Sequence, residues 1–261
     1  MSRSLSIASG KGGVGKTTLA INLAIMQAQN SKCLLLDADM GMANAHILLG
    51  INPQLTIKDF FDGSCSIENV ITKGPENLMF MSGGSGLTEL LNIDKNKKLN
   101  FIRTFDQIST KIDNLIVDVS AGAEDSSLSL LSASDKILIV LVNEPTSFTD
   151  AFTLIKVCHL EFGLQEFCLA VNMVNNENQG KEIFLKFEKI MSKFYDVNIT
   201  YVGSIPENNK IKMSVIKKKP IVLDIQNKGF SFLFKKIMKN INDAPANNFK
   251  GIKFFNNSYS K

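Results

Sequence analysis

Residues 8–22 read ASGKGGVGKTTLAIN. Within them Gly10, Gly15, Lys16 and Thr17 satisfy the pattern G-x-x-x-x-G-K-[ST]. The pattern lies between an apolar run, Leu5–Ala8, read as a strand, and a periodic segment, Lys16–Gln29, read as a helix, which is the setting its chemistry requires. Gly10, Gly12, Gly13 and Gly15, with Val14 among them, let successive backbone N–H groups converge on one anion, and the helix start adds its positive dipole end. Lys16 is suited to neutralising the charge of terminal phosphates, and the hydroxyl of Thr17, followed by Thr18, to holding Mg²⁺. The stretch predicts a nucleoside triphosphate site. Lys11 is surplus to that chemistry, because at the front of the loop it is poorly placed to curl back onto the same phosphates.

Working outward, short apolar runs alternate with longer helical patterns. Strands are predicted at Leu5–Ala8, Lys32–Leu36, Leu78–Met81, Leu115–Asp118, Ile137–Val142, Phe167–Val171 and Tyr201–Val202. Helices are predicted at Lys16–Gln29, Leu87–Leu91, Lys98–Lys111, Ser126–Ala133, Ser147–Phe162, Gly180–Phe194 and Phe230–Ile241. Continuous apolar strands are those covered on both faces, so the alternation predicts an α/β fold with a doubly wound, mainly parallel sheet flanked by helices. One domain is expected over residues 1–242. A polar linker, NDAPANN, and a tail, FKGIKFFNNSYSK, follow over 243–261.

Two carboxylates close the second strand. Asp37 and Asp39, two residues apart, point to one side of an extended chain, at the sheet edge where ligands of open α/β sheets bind. Asp37 is read as supporting either the Mg²⁺ shell or the loop. Asp118 is the one charge closing the apolar run NLIVD, the placement that holds Mg²⁺ through water. His46 and His159 stand without a motif and are read as structural.

Composition bounds the rest. The chain has 261 residues, 44% hydrophobic and 21% charged, in the range of a globular protein. It has no apolar run long enough to cross a bilayer, and no secretory h-region is read before the glycine loop. Cys33, Cys65, Cys158 and Cys168 are scattered and form no C-x-x-C, so they read as reduced thiols of a cytoplasmic protein. Residues 208–261 carry 12 Lys and 2 Asp, a balance of +10 against +4 for the whole chain, which leaves residues 1–207 at −6. Such asymmetry fits either an anionic partner, membrane or nucleic acid, or a solvated lysine-rich face.

KGGVGKTT resembles the deviant phosphate loop of the MinD/ParA ATPases, over roughly residues 3–225. The resemblance implies a P-loop NTPase fold of the SIMIBI type, and a Mg²⁺-dependent ATPase alternating between an ADP or empty monomer and an ATP homodimer. It implies that Lys11 reaches the partner's nucleotide in trans and that Asp39 orients the attacking water, with Lys16 completing the catalytic set. It places Asn172, Pro206 and Glu207 against adenine. DADMGMANAHILLG, NEPTSFTDAFTLIK and MSGGSGLTELLN are similar to segments of the flagellar-number regulators (FlhG, FleN, YlxH). From that subgroup come the expected role in flagellar assembly and the expected partners, the GTPase FlhF, flagellar switch proteins or transcription regulators. The D-Q-A-x-x-L-R extension by which many of them stimulate FlhF is not read ahead of the first strand, which puts that route in doubt.

The C-terminal end admits more than one reading. Phe230, Leu233, Phe234, Ile237, Met238 and Ile241 form one apolar stripe, either a core helix or a membrane face. Phe249, Ile252, Phe254 and Phe255, interleaved with Lys250 and Lys253, are expected to form an amphipathic tail that anionic lipid orders. That would make the protein reversibly peripheral on the inner face of the membrane. The rival expectations are a DNA-partition ATPase of the ParA type, using Lys217, Lys218 and Lys219 on phosphates, and a nucleotide-gated scaffold with negligible turnover.

Overall fold

The computed structural model describes residues 3–39, 44–84, 95–248 and 251–255, the side chains of 95–97 excepted. Eight strands form one sheet: β1 Arg3–Ala8, β2 Cys33–Ala38, β3 Thr72–Lys73, β4 Met79–Ser82, β5 Asn114–Val119, β6 Lys136–Val142, β7 Glu166–Val174 and β8 Asn198–Pro206. Their order is β3-β4-β2-β5-β1-β6-β7-β8. All neighbours pair in parallel except β3, which runs antiparallel to β4 at the edge. The described helices are α1 Lys16–Ala28, α2 Ala45–Leu49, α3 Ile57–Phe61, α4 Lys95–Thr104, α5 Asp125–Ala133, α6 Pro145–Phe162, α7 Glu177–Met191, α8 Asn209–Ile216 and α9 Lys228–Asp243. The predicted helix Leu87–Leu91 lies outside the described residues.

Strand alternation divides the apolar side chains between two cores. Leu35, Ile116, Leu138, Val140 and Ala170 face α1 and α9, while Leu36, Val117, Ile139, Leu141 and Leu169 face the side of α4, α5, α6 and α7. Burial on both faces explains why Cys33–Leu36 of β2 reads as an apolar run and why the doubly wound prediction holds. The stripe of α9 resolves as a core helix, with Phe234, Ile237, Met238 and Ile241 buried.

Over the described residues, the segment expected to form an amphipathic tail is docked on the domain. After α9 the chain crosses the N-terminal edge of the sheet. The Asn247 side-chain oxygen accepts from the Gln165 and Glu166 backbone N–H groups at 3.1 and 3.0 Å, and the Asn247 backbone N–H donates to the Asp135 carbonyl at 2.9 Å. Phe254 donates its backbone N–H to the Ala133 carbonyl at 2.9 Å and sets its ring edge-on to Phe105, centroids 5.1 Å apart. Phe254 and Phe255 are both fully buried. Lys253 can lie between them and the surface because its ammonium reaches the Asn247 carbonyl at 2.5 Å and the Asp135 carboxylate at 3.6 Å. Phe249 and Lys250 lie outside the described residues.

Candidate nucleotide-binding site

The glycine loop joins β1 to α1 at the carboxyl end of the sheet, where β2, β5 and β7 also end. Gly10 packs against the backbone of α6 so closely that a Cβ there would meet the Asp150 carbonyl carbon at 2.2 Å. Gly15, at φ +85°, turns the chain into α1, and a Cβ on it would meet the Asn172 amide nitrogen at 2.4 Å. These contacts hold the loop in place as well as leaving room for an anion. Val14 anchors it below, buried in the α1 core, while its carbonyl accepts from Asn172 Nδ2 at 2.7 Å.

Beneath the loop, Lys16 is buried and donates to Asp118 Oδ1 at 2.6 Å, with Asp39 Oδ2 3.8 Å from its ammonium. The Thr17 hydroxyl also bonds Asp118. Burial pushes the Asp118 carboxyl up from its ordinary range, opposed by Lys16 and Thr17. Its second oxygen, Oδ2, is buried without a hydrogen-bond partner. A buried carboxylate oxygen left unpaired costs stability unless something else uses it. The donor set, a hydroxyl beside a carboxylate, suits a hard cation that keeps most of its ligands as water and phosphate oxygen. Residues and Mg²⁺ therefore fit.

Asp37 and Asp118 are direct register partners on β2 and β5. Asp37 Oδ1 accepts from the Asp39 N–H at 3.2 Å and Oδ2 from the Ala45 N–H at 3.1 Å. These bonds brace the segment that follows β2. Burial, with Asp118 beside it, nevertheless raises the Asp37 pKa to about 7. On the far side of the site, the Gly122 N–H donates to the Ser9 carbonyl at 2.9 Å and Ser120 to the Ala38 carbonyl at 3.1 Å, so the segment after β5 is tied to both flanking loops.

Lys11 points away from the cradle. Its ammonium lies 2.5 Å from Glu144 Oε2 and 3.2 Å from Thr146 Oγ1, at the start of α6. Sequence reasoning missed Glu144 and Thr146 as contacts of this lysine; the segment NEPTSFTDAF was the available signal, used there only as a mark of resemblance. Asn172, Pro206 and Glu207 come together at the ends of β7 and β8, where Val174 pairs with Pro206. Asn172 is spent on the loop carbonyl, and Glu207 pairs with Lys212 at 2.6 Å.

A glycine loop between the first strand and first helix of a parallel sheet, with a lysine and a strand-end aspartate meeting below it, defines a P-loop nucleoside triphosphatase. A family model described as ParA, NUBPL iron-transfer P-loop NTPase, matches residues 1–242. The chain is 34% identical over 254 residues to the antiactivator FleN of Pseudomonas aeruginosa, covering 96% of this chain and 91% of FleN. It is 28% identical over 217 residues to the flagellum site-determining protein YlxH of Helicobacter pylori, covering 82% and 73%. The structure is similar to the MinC:MinD cell division complex of Aquifex aeolicus, with TM-score 0.75, 25% identity and coverage of 93% and 96%. The protein belongs to the ParA/MinD family of P-loop NTPases. Its similarity to FleN and YlxH supports the flagellar-number regulator subgroup read from its motifs.

Proposed function

We propose that this protein is a Mg²⁺-dependent ATPase that pairs on binding ATP and regulates the number or placement of flagella at the membrane. The observation that carries the reading is the buried Lys16–Asp118 pair under the glycine loop, with Asp118 Oδ2 unpartnered. Lys16 is positioned to leave Asp118 for the terminal phosphates, and Thr17 with Asp118 would hold the metal. Bound Mg²⁺ supplies charge neutralisation on the β- and γ-phosphates. Asp39, half-way out of the site and near Lys16, is placed to orient water. Asn172, Pro206 and Glu207 form the wall proposed for the base.

Lys11, turned outward to Glu144 and Thr146, is proposed to serve a second copy's nucleotide. Such a lysine makes turnover depend on pairing, as an arginine finger does. The flagellar role rests on what FleN and YlxH are named for, with a FlhF-type GTPase, switch protein or transcription regulator as the partner class.

The test is ATP turnover measured against protein concentration for wild type and Lys11→Ala. Wild type is expected to gain specific activity as concentration rises. Lys11→Ala is expected to bind ATP normally and to lose turnover. The exposed Lys11–Glu144 pair contributes at most about 1 kcal/mol, so the variant should remain folded. Wild-type turnover in Lys11→Ala would sink the trans assignment.

A further inference from the structure

Phe254 and Phe255 are buried in the core, and a separate exposed apolar surface lies on α8 and α9. Ten large apolar side chains are exposed among the described residues, and four lie within one 20-residue segment: Met213 at 45%, Ile216 at 70%, Ile225 at 81% and Phe232 at 72%. Met213 and Ile216, three apart on α8, share a helix face. The segment is continuous. Lys210 of α8 donates to Asn227 Oδ1 at 2.7 Å, and Ser231 of α9 donates to the Val222 carbonyl at 3.1 Å. A cleft of about 300 Å³ between α8 and the turn before α9 is lined by Met213, Lys217, Lys219 and Asn227, among others.

Its charge is predominantly positive. Residues 208–239 hold nine Lys and one Asp. Two of the lysines meet carboxylates, Lys212 at Glu207 and Lys236 at Glu177. The single acid, Asp224, also lines the cleft and accepts from the Gln226 N–H and the Asn227 amide. On α9, Phe232 stands opposite the buried stripe, on the side that also carries Lys228, Lys235 and Lys239. The other exposed apolar group, Leu160, Leu185, Ile190 and Phe194, differs, because Glu161, Glu182 and Glu188 are mixed with the lysines around it.

We infer that the α8–α9 face is a docking surface for an anionic lipid bilayer, with Ile216, Ile225 and Phe232 entering the interface and the surrounding lysines on the headgroups. The inference rests on the membrane part of the proposed function and assigns it a surface. Lysines attracted by anionic headgroups and apolar tips buried below them are the two components of interfacial binding. Duplex DNA would use the lysines and leave Ile225 and Phe232 without a role.

The chain has no tryptophan, so Phe232→Trp in the full-length protein is a reporter of that one position, with Phe194→Trp as its counterpart on the mixed-charge face. Vesicles of phosphatidylglycerol mixed with phosphatidylcholine, in the presence of ATP and Mg²⁺, are expected to blue-shift the Phe232→Trp emission and leave Phe194→Trp unchanged. The double substitution Ile225→Glu with Phe232→Glu is expected to weaken flotation with these vesicles at least about tenfold while ATP turnover stays at the wild-type rate. Vesicle binding without a change at position 232 and without loss in the double variant would overturn the surface and leave the membrane reading standing. No flotation of wild type with either nucleotide would remove the membrane reading and this inference together. A response at position 232 to duplex DNA, with none to vesicles, would overturn the inference in favour of a nucleic-acid partner.

Discussion

Lys16 and Asp118 meet at 2.6 Å beneath the glycine loop, one from the first helix and the other from the end of a strand 102 residues later. On the proposed function, phosphate charge and a divalent cation would balance the same two groups, so ligand binding would exchange one set of charge partners for another.

Lys16→Ala removes the cation from this exchange. Nucleotide affinity is expected to fall roughly 100-fold or more, the loss of strong charge-assisted hydrogen bonds. Fluorescent-nucleotide titration checks it. Retained affinity would mean that Lys16 serves only Asp118.

Asp39→Ala is expected to leave ATP binding intact and to stop turnover. The ATP-bound pair should then accumulate, and size-exclusion chromatography with ATP should show a dimer peak that wild type loses as ATP is consumed. Asp39 lies at the rim, 29% exposed and 3.8 Å from Lys16, so its removal leaves no cavity in the core. A variant that turns over normally would remove Asp39 from the catalytic set.

Asp37 gives the nucleotide-free protein a pH signature. Its carboxyl ionises near 3.8 in the unfolded chain and near 7 in the folded one. Between those values the folded state binds more protons, so this group makes stability fall as pH rises from about 4 to about 7 and then level off. Urea denaturation at pH 5 and pH 7.5 should show wild type less stable at the higher pH, with Asp37→Asn narrowing the gap. An unchanged gap in the variant would place the dependence on another group.

Phe254→Ala tests the docked C-terminal segment. A fully buried phenylalanine against Phe105 is expected to cost about 3–5 kcal/mol on truncation and to lower the urea midpoint accordingly. A change below about 0.5 kcal/mol is what an exposed position shows, and would place the ring outside the core.

Much of this was legible from the sequence because the signals are local. The loop needs its glycines within six residues of one another, and strands buried on both faces announce themselves as apolar runs. Thr72–Lys73 was missed because a two-residue edge strand carries no period. α2 and α3, five residues each, are too short to show one. That GIKFF packs on the domain was not legible for a different reason. Lysines between phenylalanines read as a surface, and the groups that make burial possible there, Asp135 and the Ala133 carbonyl, lie more than 110 residues earlier. Glu144 was missed for the same reason, since nothing near it in sequence states that Lys11 will be its neighbour.

The crossing segment, described over residues 244–248 and 251–255, also bears on how the protein matures. Every strand whose N-terminal edge it covers is translated before it, and β1, inside the sheet, must wait for β5 to be made before it has a first neighbour and for β6 before it has both. Domains acquire structure from the N-terminus as synthesis proceeds, yet here the first element made has a long wait for its partners, and the apolar base around Phe105 is sealed only when Phe254 arrives. A nascent chain stalled before that point would leave the apolar base around Phe105 uncovered.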